Sequence, residues 1–168
     1  MTYPIFLVMG VSGSGKTTFG RALASKLQVS FYDADDYHLD TSIAKMSQGI
    51  ALGDQDRQPW LHKLNLLLRQ KAMQGSAVLA CSALREKHRG TLLEGLIGKC
   101  WIIFLKGDKE LVRDRINTRP NHFMPVALLE SQFKELEEPC NALVLDITQN
   151  TERLLTEVLA QVASDKNR

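Results

Sequence analysis

Gly10-Val-Ser-Gly-Ser-Gly-Lys-Thr17 is the stretch that decides the fold, because it matches the phosphate-binding pattern G-x-x-x-x-G-K-[ST] at every defined position. It directly follows the apolar run Ile5-Phe-Leu-Val-Met9, and residues 17–27 carry apolar side chains at helical spacing. A strand, a glycine-rich turn and a helix in this order are the context that supports a phosphate-binding loop. A plain Gly/Ser-rich turn is the alternative, but such a turn does not require Lys-Thr at the start of the helix.

This loop predicts that the chain binds a nucleoside triphosphate. Its glycines let the backbone turn several N–H groups toward an anionic phosphate chain, and the positive end of the following helix favours the same charge. Lys16 can reach the terminal phosphates, and Thr17 can place its hydroxyl on a Mg²⁺ ion. The predicted ATP-binding residues of this segment are Gly10, Val11, Ser12, Gly13, Ser14, Gly15, Lys16, Thr17 and Thr18.

Length and composition narrow the class of protein. A chain of 168 residues has room for one domain, residues 1–168, and not for a second catalytic module. It is 44% hydrophobic and 24% charged, which is ordinary for a soluble globular protein. Its 21 basic and 19 acidic residues give a net charge of +2, and its longest apolar runs are far shorter than a bilayer span. We therefore expect a small-molecule substrate and neither a nucleic acid nor a membrane as partner, with monomer and homodimer both open.

The cysteines and the N-terminus indicate the compartment. Cys81, Cys100 and Cys140 are odd in number and show no paired spacing, which favours free thiols over disulfides or a metal site. The N-terminus leads directly into the first predicted strand, so we expect no cleavable signal. These features predict a cytoplasmic protein.

Apolar runs alternate with helical patterns along the whole chain. Short, almost entirely apolar strands separated by helices are typical of a parallel sheet covered on both faces, so we predict an α/β fold. The predicted strands are 5–9, 29–32, 77–81, 101–105 and 143–147, and the predicted helices are 17–27, 43–48, 56–73, 84–96, 109–118, 126–137 and 151–163. Ligands of such sheets bind at the carboxyl ends of the strands, so the loops that follow the strands carry the expected site.

An acidic stretch, Asp33-Ala-Asp-Asp-Tyr-His38, follows the second predicted strand. Beside a magnesium triphosphate, one carboxylate can hold the metal and another can orient or deprotonate an attacking hydroxyl. We assign the metal to Thr17 and Asp33 and the hydroxyl proton to Asp35, with the reverse division of the two carboxylates open. A solvated acidic turn that caps a helix is the structural alternative.

The third predicted strand ends in Ser82-Ala-Leu84, whereas many ATPases and GTPases place a metal-holding Asp at the end of a neighbouring strand. The metal must then depend on Thr17 and the acidic stretch. This difference favours a small-molecule kinase over a GTPase switch or a motor.

Basic residues form two groups near the expected site. One group begins the helix after the third strand: Arg85, Lys87, His88 and Arg89. In the other, Arg115 and Arg119 are four residues apart on one helical face, and Arg119 begins the loop 119–125. A mobile segment that carries arginine over a triphosphate is how kinases neutralise the migrating phosphoryl group. We predict that Lys16, Asp35 and Arg119 are catalytic, that Arg115 binds the nucleotide and that the loop is a mobile lid; solvated helix faces are the alternative.

Several further stretches match the motifs of one known family. Asp33-Ala-Asp-Asp-Tyr-His38 with Lys45-Met46 resembles D-G-D-x-L-H-P-x-x-N-x-x-K-M. Gly49-Ile-Ala-Leu-Gly-Asp-Gln-Asp-Arg-Gln-Pro-Trp-Leu61 resembles G-x-P-L-x-D-x-D-R-x-P-W-L, and shorter matches follow at Ser82-Ala-Leu84, Arg89, His122-Phe-Met124 and Ser131-Gln-Phe-x-x-Leu-Glu-Glu-Pro139. The chain thus resembles the gluconate kinases, which phosphorylate D-gluconate at the 6-position with ATP and are related to shikimate and nucleoside monophosphate kinases. The resemblance covers roughly residues 5–147.

The resemblance implies a fold, a reaction and a set of substrate-binding residues. The fold is the three-layer P-loop kinase fold, a five-stranded parallel sheet with helices on both faces and a mobile lid. The implied substrate-binding residues are Asp33, Asp35, His38, Lys45, Arg57, Arg89 and His122. Cations and hydrogen-bonding groups suit a sugar acid, which carries a carboxylate and a row of hydroxyls. For Arg57, beside Asp54 and Asp56, a surface ion pair is an equal alternative.

The chain also departs from the family pattern. Ala34, Leu39, Ser42 and Ala51 replace Gly, Pro, Asn and Pro, Arg85 replaces the usual Lys, and the segment after Pro139 is shorter. Most of these positions lie on the substrate side, so a related sugar acid is open as an alternative to gluconate. A shikimate-type or nucleoside monophosphate kinase is a second alternative, although the chain lacks the Gly-Gly-Gly that shikimate kinases carry after the third strand. A non-catalytic ATP-binding module is the alternative from another class, and intact Lys16, Thr17, Asp33 and Asp35 count against it.

Overall fold

Five parallel strands form the central sheet of this computed structural model, which describes residues 3–96, 100–118 and 126–166. The spatial order is β2-β3-β1-β4-β5. The strands are β1 (Ile5–Met9), β2 (Ser30–Asp33), β3 (Ala77–Ala80), β4 (Cys100–Lys106) and β5 (Leu143–Asp146). Val8 of β1 pairs with Ala80 on one side and with Ile103 on the other. The predicted parallel sheet is confirmed.

The helices connect the strands and cover both faces of the sheet. They are α1 (Lys16–Leu27), α2 (Asp40–Ser47), α3 (Asp54–Gln74), α4 (Glu86–Leu93), α5 (Lys109–Asn117), α6 (Val126–Glu135) and α7 (Thr151–Lys166). A short 3-10 helix, Ala34–Tyr37, follows β2 directly. The predicted α/β layering is therefore confirmed, and the 3-10 helix is the element that the sequence patterns missed.

Strand β1 shows why two cores form. Its residues are at most 2% exposed, so the strand lies at the centre of the sheet. Phe6 and Val8 point to the face covered by α1 and α7, where they join Leu23, Leu155 and Val158. The alternate residues Ile5, Leu7 and Met9 point to the opposite face, covered by α3 and α4, and join a second cluster that includes Leu61, Leu64, Leu68 and Leu92. The two-residue period of a strand thus supplies apolar side chains to both layers.

Several helix ends differ from the predicted ones for local reasons. The predicted helix 84–96 begins only at Glu86, because Ala83 has a positive φ of 42° and Arg85 is extended. It ends at Leu93, and the nearby Gly95 has a φ of 64°. Helix α6 ends at Glu135 instead of residue 137, and the N–H of Glu137 donates to the Leu84 carbonyl oxygen at 2.9 Å. The bond from Glu137 thus connects the segment after α6 to the loop that follows β3.

The fold brings the loops after β1, β2 and β3 to one edge of the sheet, since the strands are parallel. Across the described residues, none of the helices combines the length and the apolar character needed to cross a membrane.

Candidate active site

The phosphate-binding loop connects β1 to α1 and needs glycine at two positions for different reasons. Gly10 has a φ of 152°, and a Cβ there would lie 2.7 Å from Ser14 Oγ and 2.9 Å from the Leu105 carbonyl oxygen. Gly13 has a φ of 80°, and a Cβ there would lie 2.6 Å from Cγ1 of Ile116. Any side chain would therefore push the loop away from β4 and α5. The loop lines a small cleft together with Lys16, the first residue of α1.

Thr17 and Asp33 are hydrogen-bonded to each other across the end of the sheet. The Thr17 hydroxyl donates to Asp33 Oδ2 at 2.6 Å, and the Asp35 N–H donates to Asp33 Oδ1 at 3.1 Å. Asp33 thereby caps the 3-10 helix that carries Asp35. On the other side, Lys16 Nζ donates to the Val11 carbonyl oxygen at 3.0 Å. The structure thus brings the predicted metal residues Thr17 and Asp33 into one cleft with Lys16 and Asp35, two of the three predicted catalytic residues.

The cleft offers a metal ion only a few protein oxygens, which suits Mg²⁺ better than a metal whose ligands all come from the protein. Within residues 3–96, 100–118 and 126–166, no group of three or more His, Cys, Asp or Glu side chains is placed to hold a metal ion. Mg²⁺ commonly takes one or two protein oxygens and completes its shell with phosphates and waters. Thr17 and Asp33 could supply those protein oxygens.

Two cavities meet at this point. A small one of about 100 Å³ lies between the loop and the carboxylates, and its wall includes Thr17, Thr18 and Asp33. A larger one of about 350 Å³ extends toward α2, α3 and α6. Ser12, Lys16 and Asp35 line both cavities. A group bound in the small cavity therefore faces a molecule bound in the large one across these three residues.

The large cavity combines apolar walls with convergent polar groups. Its apolar wall comes mainly from α2, α6 and the segment before α3: Ile43, Met46, Ile50, Ala51, Leu52 and Leu128. Its polar wall contains Asp35, His38, Arg57, Ser82, Ser131, Gln132 and Glu135. Its volume suits a small molecule, and its polar groups can fix the orientation of that molecule.

His38 is held at the floor of this cavity by Trp60. The two rings stack with centroids 4.3 Å apart and an interplanar angle of 14°. Trp60 is itself fixed, because its Nε1–H donates to the Ala34 carbonyl oxygen at 2.7 Å. His38 Nε2 lies 3.5 Å from Asp35 Oδ1, and Nδ1 is buried without a partner among the described residues. His38 thus lines the cavity with one ring nitrogen near Asp35 and the other unsatisfied.

Arg57 is in the cavity wall and is paired there. Its guanidinium donates to Glu135 Oε2 at 3.0 Å, and both side chains are mostly buried. Arg85 lies 3.9 Å from the same carboxylate and 3.7 Å from that of Asp54. Lys45, in contrast, donates to Asp56 at 2.7 Å and holds the pKa of that carboxyl below its usual range. Lys45 is not among the residues that line the cavity.

Arg89 is placed below the site rather than in its wall. The side chain is buried, and the same terminal nitrogen donates to the carbonyl oxygens of Ala83 and Leu84 at 2.9 Å each. Burial lowers the pKa of the guanidinium. Because Ala83 has an unfavourable positive φ, these two bonds hold the strained turn after β3 in place.

A charged cluster around Asp54 was not assigned a role from the sequence. Asp54, at the start of α3, accepts hydrogen bonds from Lys87 and from His88, the latter at 3.0 Å. These bonds lower the pKa of Asp54 to about 2. His88 is almost fully buried, and that burial lowers its own pKa although the bond to Asp54 opposes the shift. The cluster ties α3 to α4 beside the cavity.

The structure shows five more polar or aromatic wall residues that sequence reasoning did not single out as site residues: Trp60, Ser82, Ser131, Gln132 and Glu135. All five lie inside the stretches that carry the family resemblance, and that resemblance was the available signal. Their roles depend on contacts between distant segments. Arg119, His122 and the predicted lid at 119–125 lie outside the described residues.

A third cleft, of about 300 Å³, lies on the other side of the phosphate-binding loop. Its polar wall includes Ser14, Thr18, Gln149 and Arg115, and its apolar wall includes Phe19, Leu105, Ile147 and Leu154. The Arg115 guanidinium is anchored because it donates to the Ile147 carbonyl oxygen. Apolar walls and a planar guanidinium can hold a flat aromatic base.

The sheet order, the phosphate-binding loop and the adjoining cavity together define a P-loop kinase that acts on small molecules. The family model described as shikimate kinase matches residues 12–164. A solved shikimate kinase from Acinetobacter baumannii has a TM-score of 0.58 at 20% identity over 100% of this chain and 97% of its own, and so shares the fold.

Relatives at higher identity define the family more narrowly. The probable gluconokinase of Mus musculus is 43% identical, with 94% of this chain and 95% of that protein covered. The thermosensitive gluconokinase of Escherichia coli is 47% identical over 80% of this chain and 72% of its own length. The solved gluconokinase of Sinorhizobium meliloti has a TM-score of 0.87 at 36% identity, with 96% and 92% covered. The chain belongs to the gluconokinase family.

Proposed function

We propose that this chain transfers the γ-phosphoryl group of ATP to the 6-hydroxyl of D-gluconate, forming 6-phospho-D-gluconate and ADP. One structural observation carries the proposal: Ser12, Lys16 and Asp35 line both the phosphate cleft and the larger cavity. A phosphate donor and a small acceptor can therefore meet without a further domain. Relatives named gluconokinase, aligned over most of the chain, support gluconate as the acceptor.

The chemistry of the cavity suits a sugar acid. Arg57 supplies a cation, and Asp35, His38 and Ser82 supply hydrogen-bonding groups for hydroxyls. His38 Nδ1 is buried without a partner among the described residues, and a turn of the ring that lines the cavity would let a ligand hydroxyl satisfy it. The apolar side of α2 can cover the carbon chain. The family model described as shikimate kinase also covers residues 12–164, but the solved shikimate kinase is only 20% identical to this chain. Shikimate is the weaker candidate, since relatives named gluconokinase reach 43% and 47% identity.

In the proposed reaction the acceptor hydroxyl oxygen bonds to the γ-phosphorus, and the bond from that phosphorus to the β–γ bridging oxygen breaks. ADP leaves with the bridging oxygen, and Asp35 accepts the hydroxyl proton. Lys16 must give up its bond to the Val11 carbonyl oxygen and turn to the phosphates, where its charge offsets the developing negative charge. Arg119 would neutralise charge in the same way, because it begins the predicted lid, and the family resemblance implies that His122 lies near the sugar acid or the lid.

Thr17 and Asp33 would hold Mg²⁺, which would supply charge neutralisation at the phosphates. Their hydrogen bond to each other already brings the two oxygens to a common point. In the third cleft, Arg115 and Thr18 would hold the nucleotide base and the nearby phosphate. We propose the cytoplasm as the compartment, because Cys81, Cys100 and Cys140 are all free thiols.

The test is ADP release by the purified chain with ATP and Mg²⁺, measured across a panel of acceptors. The panel contains gluconate, other sugar acids, shikimate and nucleoside monophosphates. Gluconate is expected to raise turnover well above the basal rate, and shikimate and the nucleotides are not. A higher kcat/KM for another sugar acid would identify that acid, instead of gluconate, as the substrate. Turnover with shikimate equal to that with gluconate would overturn the assignment.

A further inference from the structure

A side chain from α6 occupies one backbone donor of the phosphate-binding loop. Gln132 Oε1 accepts a hydrogen bond from the Ser12 N–H at 2.7 Å, although the two residues are 120 positions apart. A backbone N–H can face only an acceptor, so the oxygen of the carboxamide must be on this side. No other hydrogen-bond partner of the Gln132 side chain is found among the described residues. Its NH₂ group is available to a ligand.

The position of Ser12 gives this bond its significance. Ser12 is one of the three residues that line both the phosphate cleft and the acceptor cavity. The backbone N–H groups of such a loop are the donors that phosphate oxygens use. Gln132 therefore occupies a donor on the side where the terminal phosphate must meet the acceptor. A phosphate oxygen is charged and is the stronger acceptor of the two.

Gln132 is also connected to the acceptor cavity. It lines that cavity together with Ser131 and Glu135, and Glu135 stands three residues further along the same helix. Glu135 pairs with Arg57 at 3.0 Å. Helix α6 is thus attached at one point to the phosphate-binding loop and at the next to the cation of the acceptor cavity.

We propose that Gln132 is a positioning residue that responds to the third phosphate of the nucleotide. In the free enzyme its Oε1 holds the Ser12 N–H. A γ-phosphate takes over that N–H, and the released carboxamide turns its NH₂ group toward the acceptor cavity. ADP has no γ-phosphate, so it leaves the hydrogen bond between Gln132 and Ser12 in place. The proposal rests on the proposed kinase function, and it goes beyond it by assigning the discrimination between ATP and ADP to this residue.

The alternative is that Gln132 only fixes α6 against the loop. In that case Gln132→Glu keeps the bond, since a carboxylate accepts from the Ser12 N–H at least as well, and both nucleotides should respond alike. On our proposal Gln132→Glu holds the N–H more tightly and repels the γ-phosphate. Gln132→Ala removes the competitor for the N–H altogether.

The test compares the Kd of ADP with the Kd of a non-hydrolysable ATP analogue, both with Mg²⁺ and without acceptor, by isothermal titration calorimetry. For Gln132→Glu we expect the ratio of analogue Kd to ADP Kd to rise about tenfold or more, because two like charges face each other. For Gln132→Ala we expect that ratio to fall, because the γ-phosphate no longer has to displace a competitor for the Ser12 N–H, while kcat with gluconate falls. Gln70→Glu, on the exposed face of α3, is the matched charge control and should leave the ratio unchanged.

An unchanged ratio for either Gln132 variant overturns the proposal, as does a raised ratio for Gln132→Ala or for the control. If Gln132→Glu does not fold, the ratio for Gln132→Ala decides alone. The measurement contains no acceptor, so a failure of the wild-type chain to phosphorylate gluconate would leave its result intact and would count only against the proposed function.

Discussion

The hydroxyl of Thr17 and the carboxylate of Asp33 are joined by a 2.6 Å hydrogen bond although their strands are not neighbours. Thr17 follows β1 and Asp33 ends β2, with β3 between them. The end of β3 contributes only small side chains to the cleft, those of Ala80 and Cys81, so the bond can span it. If this pair holds Mg²⁺ as proposed, no metal-holding Asp is required at the end of β3.

The two carboxylates of this cleft are expected to have separate roles. Asp35→Asn should lower kcat much more than ATP affinity, because the side chain keeps its size but no longer accepts a proton. General-base contributions are about 10²–10⁴-fold, and a loose phosphoryl-transfer transition state favours the low end. Asp33→Asn should instead raise the Mg²⁺ concentration needed for half-maximal rate. Steady-state kinetics against Mg²⁺ concentration separates the two effects.

Asp36→Asn is the matched control, since Asp36 is exposed and lines neither cavity of the site. It should behave like the wild type. If Asp35→Asn matches the wild type at every Mg²⁺ concentration, Asp35 is only a turn residue and the hydroxyl proton leaves by another route. If Asp35→Asn shifts the Mg²⁺ requirement and Asp33→Asn does not, the two roles are reversed.

Lys16→Ala should almost abolish turnover and leave the fold intact. Lys16 begins α1, and its Nζ reaches the loop carbonyl of Val11 rather than the core. Lys26→Ala, near the end of the same helix, is the control, because Lys26 is exposed and lies 3.9 Å from Glu152 at the surface. Kinetics and thermal melting together test this. A Lys16→Ala variant that keeps more than about a tenth of wild-type kcat has lost less than about 1.4 kcal/mol of barrier stabilisation, which is too little for the role assigned here.

Trp60→Phe should destabilise the fold and lower activity together. Phenylalanine keeps an aromatic ring against His38 but cannot donate to the Ala34 carbonyl oxygen, which is then left buried without this bond. Such a loss costs about 1–3 kcal/mol in the free energy of unfolding. Because Ala34 begins the 3-10 helix that carries Asp35, kcat should fall as well. Urea denaturation combined with kinetics tests both effects, and an unchanged unfolding free energy would show that the bond is not formed in solution.

Stability should depend on the protonation of His88. Burial lowers the folded-state pKa of His88 below its ordinary value of 6.5. Between the folded and unfolded pKa values the unfolded chain binds more protons, so the unfolding free energy falls as the pH drops below that value. His88→Gln removes this titration, whereas Asp54, with a pKa of about 2, is not protonated in this range. Urea denaturation at about pH 7.5 and about pH 5.5 measures the difference.

The wild type should lose more stability than His88→Gln between the two pH values. His62→Gln is the control, since His62 is exposed on α3. It should lose as much as the wild type. Equal losses for all three proteins would mean that His88 keeps its ordinary titration in the folded state.

Local patterns were sufficient to predict the parts of the molecule that a short segment determines. The apolar runs gave the five strands, and the loop at 10–17 with the acidic stretch after β2 gave the phosphate cleft. Strand and helix periods are local properties, and parallel strands necessarily bring their following loops to one edge. That edge was sufficient to assign Thr17 and Asp33 to one metal site, but it did not predict the hydrogen bond between them.

Local patterns could not predict the contacts between segments that are far apart in the chain. The bond from Ser12 to Gln132 joins residues 120 positions apart, and nothing in either neighbourhood indicates it. The stacking of His38 on Trp60 depends on how the 3-10 helix packs against α3. The late start of α4 depends on a positive φ at Ala83, which residue propensity disfavours and which the buried side chain of Arg89 stabilises.

The most direct test of the central claim is the chemical identity of the product. The purified chain is incubated with ATP, Mg²⁺ and D-gluconate, and the product is examined by proton-coupled ³¹P NMR. The phosphorus of a phosphate on the primary 6-hydroxyl couples to the two protons on C6. The predicted result is therefore a new phosphomonoester triplet that appears in step with ADP. A doublet would mark a phosphate on a secondary hydroxyl and would contradict the account. Formation of only ADP and inorganic phosphate, with gluconate present, would contradict it as well.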